Sequence, residues 1–329
     1  MKKTLFVSSL CFLLAGGGFK PATAPVSAQV PSANNQLVSD STPTSPTVQT
    51  KVELLNAGTE PKQELRFKPQ VNAKQTVTLT MNMDMTSSIE GRPMPKFQIP
   101  ASTMKMEAVV TQVDPNGDIH FQFNYTDADV VADSTAQPEI VNAMRSTLKK
   151  MVGLKGTFVS DNRGQVKSGN FVIPEGLDPM TKQLLQQVSN SLTQLSAPVP
   201  AEAIGKGAKW RVTSSLNLAG INLSQSSIYE LASFQDNVAN LNITLEQQAT
   251  SQGLNLPNLP PDATMTLKSL KSQGQGQMKI RLDAAMPMQA NISVNSNGEM
   301  SLKGANNGKE TTVSTQLSMQ MTLESQLPK

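Results

Sequence analysis

Residues 77–86 read VTLTMNMDMT, in which Val77, Leu79, Met81, Met83 and Met85 alternate with Thr78, Thr80, Asn82, Asp84 and Thr86. A period of two sends successive side chains to opposite faces of a strand. The stretch therefore predicts a long strand over 74–87 with one polar face and one methionine-rich apolar face. The alternation recurs in Met104, Met106, Ala108 and Val110, in Ile119, Phe121, Phe123 and Tyr125, and in Leu241, Ile243 and Leu245. It recurs again in Val313, Leu317, Met319, Met321 and Leu323. From Met278 to Val294 the apolar residues all occupy even positions, which predicts a strand bent at Pro287 and followed by a turn at 295–298. Asp114-Pro115-Asn116-Gly117-Asp118, Asp161-Asn162-Arg163-Gly164 and Gln235-Asp236-Asn237 mark hairpin turns, because Asn, Asp and Gly accept the positive φ such turns need.

Two segments change period. Ile140, Val141, Met144, Leu148, Met151 and Val152 fall on one helical face behind Pro138, and Gly153 follows as a terminator. Met180, Leu184, Leu185, Val188, Leu192 and Leu195 do the same behind Asp178-Pro179. The fold class expected is α+β and mainly β: a long, curved antiparallel sheet packed against two amphipathic helices near 138–152 and 179–196. MEAVVTQVDPNGDIHFQFNYTD resembles SIYELASFQDNVANLNITLEQQ in pattern, and GTFVSDNRGQVKSGN resembles NISVNSNGEMSLKG. Two readings stand for this likeness: a duplication into halves at about 70–173 and 208–325, or the common pattern of unrelated hairpins.

The expected organisation is a signal peptide over 1–28, a disordered linker over 29–60 and a first β-rich half with one helix over 61–173. A bridging helix and Pro-rich connector follow over 174–207, and a second β-rich half over 208–329. Lys2 and Lys3, the apolar run Leu5 to Ala15 and the small-residue site Val26-Ser27-Ala28 carry the first assignment. Ser, Thr, Pro and Asn richness carries the second. Removing 1–28 takes away Cys11, the single cysteine, and three of the 28 basic residues, leaving basic and acidic side chains equal in number. A neutral chain without a basic stripe is a poor nucleic-acid binder. With one histidine and no cysteine, most nucleophile–base pairs and ordinary zinc sites are unavailable, so no enzyme activity and no cofactor are expected. No apolar run after the leader is long enough to span a bilayer. A transmembrane β-barrel would need aromatic girdles that the sequence lacks. The expected location is that of a soluble exported protein, in the periplasm or outside the cell.

The methionines are the most unusual feature: MNMDM at 81–85, MKM at 104–106, MPM at 286–288 and MQM at 319–321 each point one way from a strand. Thioethers are soft ligands that suit Cu(I). Methionine also fills irregular apolar space and adapts to varied contents, and this lining role is the assignment made, with no metal. The ligand-binding residues expected are Met81, Met83, Met85, Met104, Met106, Met286, Met288, Met319 and Met321. The Pro-rich loops 92–100 and 254–261 offer portal candidates in Met94, Phe97, Leu254, Leu256 and Leu259. Asp127, Asp129 and Asp133 lack the glycine and distant Glu of a calcium loop, and His120 alternates onto the polar side. Both are read as surface.

Pro200, Ile204, Gly207 and Trp210 give the spacing Pro-x3-Ile-x2-Gly-x2-Trp at the opening of the second half. In this the chain resembles a family of uncharacterised exported bacterial β-rich proteins, over roughly 62–325. The family brings no catalytic residues to carry over. Long meandering strands with two helices are also similar in architecture to the half-barrel carriers of lipoproteins and lipids in bacterial envelopes. The function expected is that of a non-catalytic envelope protein binding an apolar, lipid-like ligand, with an envelope protein as a further partner. The alternative is a structural or protein-interaction module with a closed core, and a carboxylate hydrolase is a third, unsupported class.

Overall fold

The computed structural model describes residues 50–131, 136–172, 198–218, 221–254, 263–304 and 310–327, with backbone alone at 97–98 and 216–218. The described strands are β1 (Lys51–Asn56), β2 (Lys74–Ile89), β3 (Arg92–Pro93), β4 (Phe97–Val113), β5 (Ile119–Val130), β6 (Lys155–Ser160) and β7 (Val166–Val172). They continue with β8 (Lys209–Leu218), β9 (Ile221–Gln235), β10 (Val238–Ala249), β11 (Gln252–Leu254), β12 (Thr264–Arg281), β13 (Gln289–Lys303) and β14 (Glu310–Gln326). They form one sheet in the order β1-β8-β9-β10-β12-β13-β14-β2-β4-β5-β6-β7, with β11 on β12 and β3 on β2. Every pairing is antiparallel. Within β2–β7 and within β8–β14 the main strands neighbour one another in chain order, so each run meanders, while β1 pairs with β8. The run β8–β14 is joined to the run β2–β7 where the last long strand meets the first, Val313 opposite Ile89 through Gln326 opposite Thr76.

Opposed residues of antiparallel strands share a face. Leu241, Met278, Ala290, Leu323, Leu79, Met104 and Ala128 stand opposite one another in turn across seven strands. The main core gathers at one end of this apolar face. The segments before β2 and before β8 cover that end: Leu65, Val199 and Ile204 are buried there. The Val199 N–H donates to Arg163 O and the Phe67 N–H to Asn162 O, both in the β6–β7 turn. Residues just before β8, near one end of the strand order, thus bond to a turn at the other end, which requires the sheet to curl. Trp210 is fully buried, stacks on Tyr229 at 5.5 Å and 11°, and donates its indole N–H to Pro198 O at 2.9 Å. The Pro/Ile/Gly/Trp spacing has this local basis: Ile204 and Trp210 fill the core, and Gly207 turns at φ +79°.

Several expectations are corrected. The fold is mostly β, and the helix count differs: among the described residues there is one helix, α1 (Pro138–Lys149), and none of its residues is buried. Its apolar stripe stays half-buried, with Leu148 packing against the core. Ion pairs hold it to β5, Lys149 Nζ to Asp127 at 2.8 Å and Arg145 Nε to Asp129 at 2.7 Å. The second expected helix, 179–196, lies outside the described residues. The linker assigned to 29–60 ends too late, because 51–56 forms β1 with Leu54 opposite Trp210. There the short alternation of Val52 and Leu54 outweighs the polar composition of its flank.

The strand expected from 278 to 294 is broken. β12 stops at Arg281 and β13 starts at Gln289, with Pro287, which has no N–H to donate, inside the connection. Asn295 to Gly298 is no turn but mid-strand in β13, paired on both sides, Gly298 facing Leu270 and Thr315. Two flanking ladders override its local turn chemistry. The duplication fails at its second couplet, since GTFVSDNRGQVKSGN forms the β6–β7 hairpin while NISVNSNGEMSLKG runs within β13. The other hairpins form as read: Asp114 and Asp118 close one turn at 2.8 Å, and Asp236 and Asn237 turn at φ +52° and +61°.

Replacing Trp210 with Ala removes the largest fully buried side chain and leaves Pro198 O unpaired. The expected loss is about 3–5 kcal/mol of unfolding free energy, measured by denaturant titration of the full chain. A change under about 1 kcal/mol would contradict this account of the core.

Candidate functional site

The apolar face carries the methionines in register. Met81 stands opposite Met321, Met83 opposite Met319 and Met85 opposite Leu317, while Met104 and Met106 of β4 face Leu79 and Val77. Met83, Met85 and Met106 are buried, and Met81, Met104, Met319 and Met321 are half-buried. Met286 and Met288 are not strand residues. They lie in the β12–β13 connection, both half-buried.

A cavity of about 70 Å³ lies between that connection and the aromatic strands, lined by Phe67, Met106, Phe121, Phe123, Phe158 and Met286 among others. Phe121 and Phe158 stack at 5.7 Å, and Phe123 meets Phe171 edge-on at 5.0 Å. Phe158 lies across the strand from Gly169, where any Cβ would come within 2.2 Å of the ring. The absent side chain is what lets the aromatic layer settle onto β7. One water needs roughly 10–15 Å³ measured this way, and small-molecule pockets span roughly 300–1,000 Å³. The cavity as it stands has room for a few waters and not for a lipid. Of the nine expected methionines, Met106 and Met286 line it.

One polar side chain holds the cavity wall. Gln75 is 3 % exposed on the apolar face; its Nε2 donates to Met286 O at 2.9 Å and to Ser325 Oγ at 2.6 Å. Its Oε1 accepts from the Met286 N–H at 3.0 Å. Gln75 is not among the residues expected from sequence, although a glutamine in the apolar phase of the 75–85 alternation is a signal for it. Phe67 and Phe158 were missed too, since their convergence is tertiary. A second hollow, of about 450 Å³, lies over β8, β9, β10 and β12 and is bounded by Ser, Thr and Gln side chains with Glu246 and Lys271. Within it Gln247 donates to Gln225 at 2.8 Å, and Ser296 bonds to its Ser272 at 2.8 Å.

The described portal residues sit at three separate elements. The Met94 N–H bonds to Ser87 O at 2.8 Å beside β3, Phe97 opens β4 opposite Met85, and Leu254 ends β11 opposite Met265. Leu256 and Leu259 lie outside the described residues. His120 Nε2 sits 2.8 Å from Asp114 at a hairpin end, and its hydrogen bond is the main reason the Asp114 carboxyl is held below the usual range. Hydrogen bonds from Lys149 and Arg145 do the same for Asp127 and Asp129, so those carboxylates are engaged in fastening α1. Burial pushes the Tyr125 and Tyr229 hydroxyls up to about 12. Among the described residues no three His, Cys, Asp or Glu side chains are grouped to hold a metal.

No family model and no curated protein matches the chain. Among solved structures it is similar to OmpT, an outer membrane protein of Vibrio cholerae in trimer form, at 6% identity over 76% of this chain and 100% of that one, TM-score 0.18. It is similar also to the outer membrane protease OmpT from Escherichia coli, at 11% identity over 81% and 99%, TM-score 0.21. A mutant of the Rh. blastica porin matches at 8% identity over 75% and 99%, TM-score 0.18. Scores this low carry no argument about shared fold or activity. The first two are outer-membrane proteins, which runs against the expectation of a soluble protein in the periplasm or outside the cell, and that expectation is not carried forward. No helix among the described residues is long and apolar enough to cross a membrane.

Gln75→Leu leaves the N–H and C=O of Met286 and the Ser325 hydroxyl without their partner. The expected cost is about 1–3 kcal/mol, with faster hydrogen exchange at the Met286 and Met288 amides and unchanged exchange at the centres of β2 and β14. Equal acceleration everywhere would show that Gln75 does not act on the connection in particular.

Proposed function

We propose that the chain is a non-catalytic envelope protein that takes an apolar, lipid-like molecule into the interior of its curled sheet. The observation that carries this reading is the aromatic cavity at the end of the methionine-lined face, with Met106 belonging to both. A ligand of ordinary size needs the wall to move. The longest part of the wall outside the strands is the stretch of Ala284, Ala285, Met286 and Pro287, with Phe67 and Gly164 the other lining residues off the ladders. Burying about ten methylenes contributes on the order of 8 kcal/mol. Giving up the Gln75 hydrogen bonds costs about 1 kcal/mol each, a smaller quantity than that burial. Methionine, unbranched and polarizable, re-packs around an inserted chain with less strain than branched residues do.

The alternative, a structural or interaction module with a closed core, is favoured by one observation: the cavity's small volume of about 70 Å³. Native mass spectrometry of the full chain isolated from envelope fractions separates the two. The lipid reading expects lipid-mass adducts, and saturable uptake of a fluorescent fatty acid after delipidation. Ala285→Phe, placed in the cavity wall, is expected to weaken uptake at least tenfold, on the order of the 1.4 kcal/mol that steric filling supplies. A chain that is always empty and takes up nothing is the closed-core protein. Undiminished uptake by Ala285→Phe would put the ligand elsewhere.

A further inference from the structure

The register brings four thioethers into a block two strands wide and two rungs deep: Met81 opposite Met321, and Met83 opposite Met319. Opposed Cβ atoms in such pairs lie about 4.5–5.5 Å apart, and alternate residues of one strand about 6.6–6.8 Å apart. The methionine sulfur stands two bonds beyond Cβ on freely rotating torsions, so three or more sulfurs reach a common point between the strands. Met104 of β4 lies diagonally beside the block, since its partner Leu79 precedes Met81 by one rung. The β2–β4 ladder shifts register between Met81 and Met83, where the block sits. Met83 is buried to 9 % exposure, and Met81, Met319 and Met321 are half-buried, so the sulfurs are neither sealed in nor fully in water.

Packing does not call for thioethers here. The flanking rungs are filled by Leu79 with Leu323 and by Leu317 with Met85, and leucine conserves the volume of methionine. The donor set has a definite chemistry. Thioethers are neutral and soft, which selects soft cations and not zinc, calcium or magnesium. Apolar surroundings penalise a divalent ion more than a monovalent one, because desolvation rises steeply with charge. We infer that Met81, Met83, Met319 and Met321 form a binding site for a monovalent soft cation, Cu(I), held by thioether sulfur alone. The cation site does not require the lipid reading, since its donors are the thioether sulfurs alone.

The test uses the full chain in chloride-free buffer with Ag(I), and with Cu(I) kept reduced in acetonitrile. One ion per chain is expected by native mass spectrometry, with the methyl signals of these four methionines shifted in NMR spectra and no retention of Zn(II). Replacing all four by Leu is expected to weaken binding at least 100-fold while the far-UV circular dichroism spectrum stays as in the parent. If that variant does not fold, the pairs Met81→Leu with Met321→Leu and Met83→Leu with Met319→Leu are each expected to lose at least tenfold. Met265→Leu with Met300→Leu is expected to bind as the parent does. The inference is overturned if neither ion is retained, if the leucine variants bind like the parent, or if only other methionines shift. Loss of lipid uptake alone leaves this result untouched.

Discussion

Cross-strand register is the constraint on which the structure rests. Seven strands place their apolar residues in line, and the side-chain period is two, so a slip of one residue at any ladder would turn a whole strand's apolar set outward. The β14–β2 ladder is the most consequential. It aligns the methionines of the two runs, it brings Ser325 to Gln75, and it carries the core from one run of the meander into the other. The turns support this register locally. Positive φ at Asp236 and Asn237 fits the two-residue hairpin that sets β10 against β9.

Much of this was legible in the chain itself. Alternation located β2, β4, β5, β10 and β14 and the face that the methionines of β2, β4 and β14 take, because a half-buried strand writes its burial into every second residue. What failed did so where neighbours outvote local chemistry. Asn295 to Gly298 has the composition of a turn, yet a ladder on each side keeps it extended. Met286 and Met288 obey the even-position rule and still leave the sheet, because Pro287 and the Gln75 hydrogen bonds favour a connection there. Strand order is not written locally at all. Nothing in residues 310–326 announces that their partner lies more than two hundred positions upstream. The cavity was out of reach for the same reason, since Phe67, Phe123 and Met286 meet through tertiary folding alone.

The interior mixes two kinds of filling. Around Trp210 and the phenylalanines, large rings in fixed stacking geometry make a stiff end, with Gly169 cut back to admit the ring of Phe158. Along β2 and β14 the filling is thioether, which holds its place by many weak contacts and no preferred shape. Rigidity at one end and compliance beside it is an arrangement in which a guest or an ion can be accommodated without the sheet losing its register. Gln75, the one amide side chain buried among the described residues, sits at the border between the two.

The joint between the first and last long strands also has a consequence in time. A ribosome releases Lys74–Ile89 more than two hundred residues before Glu310–Gln326. In that interval one side of the earlier strand has no hydrogen-bonding mate, and an uncovered strand edge beside aliphatic side chains invites association with other chains. Shielding of that edge, or a delay in folding, covers the interval until β14 emerges and the two runs are sewn into one sheet.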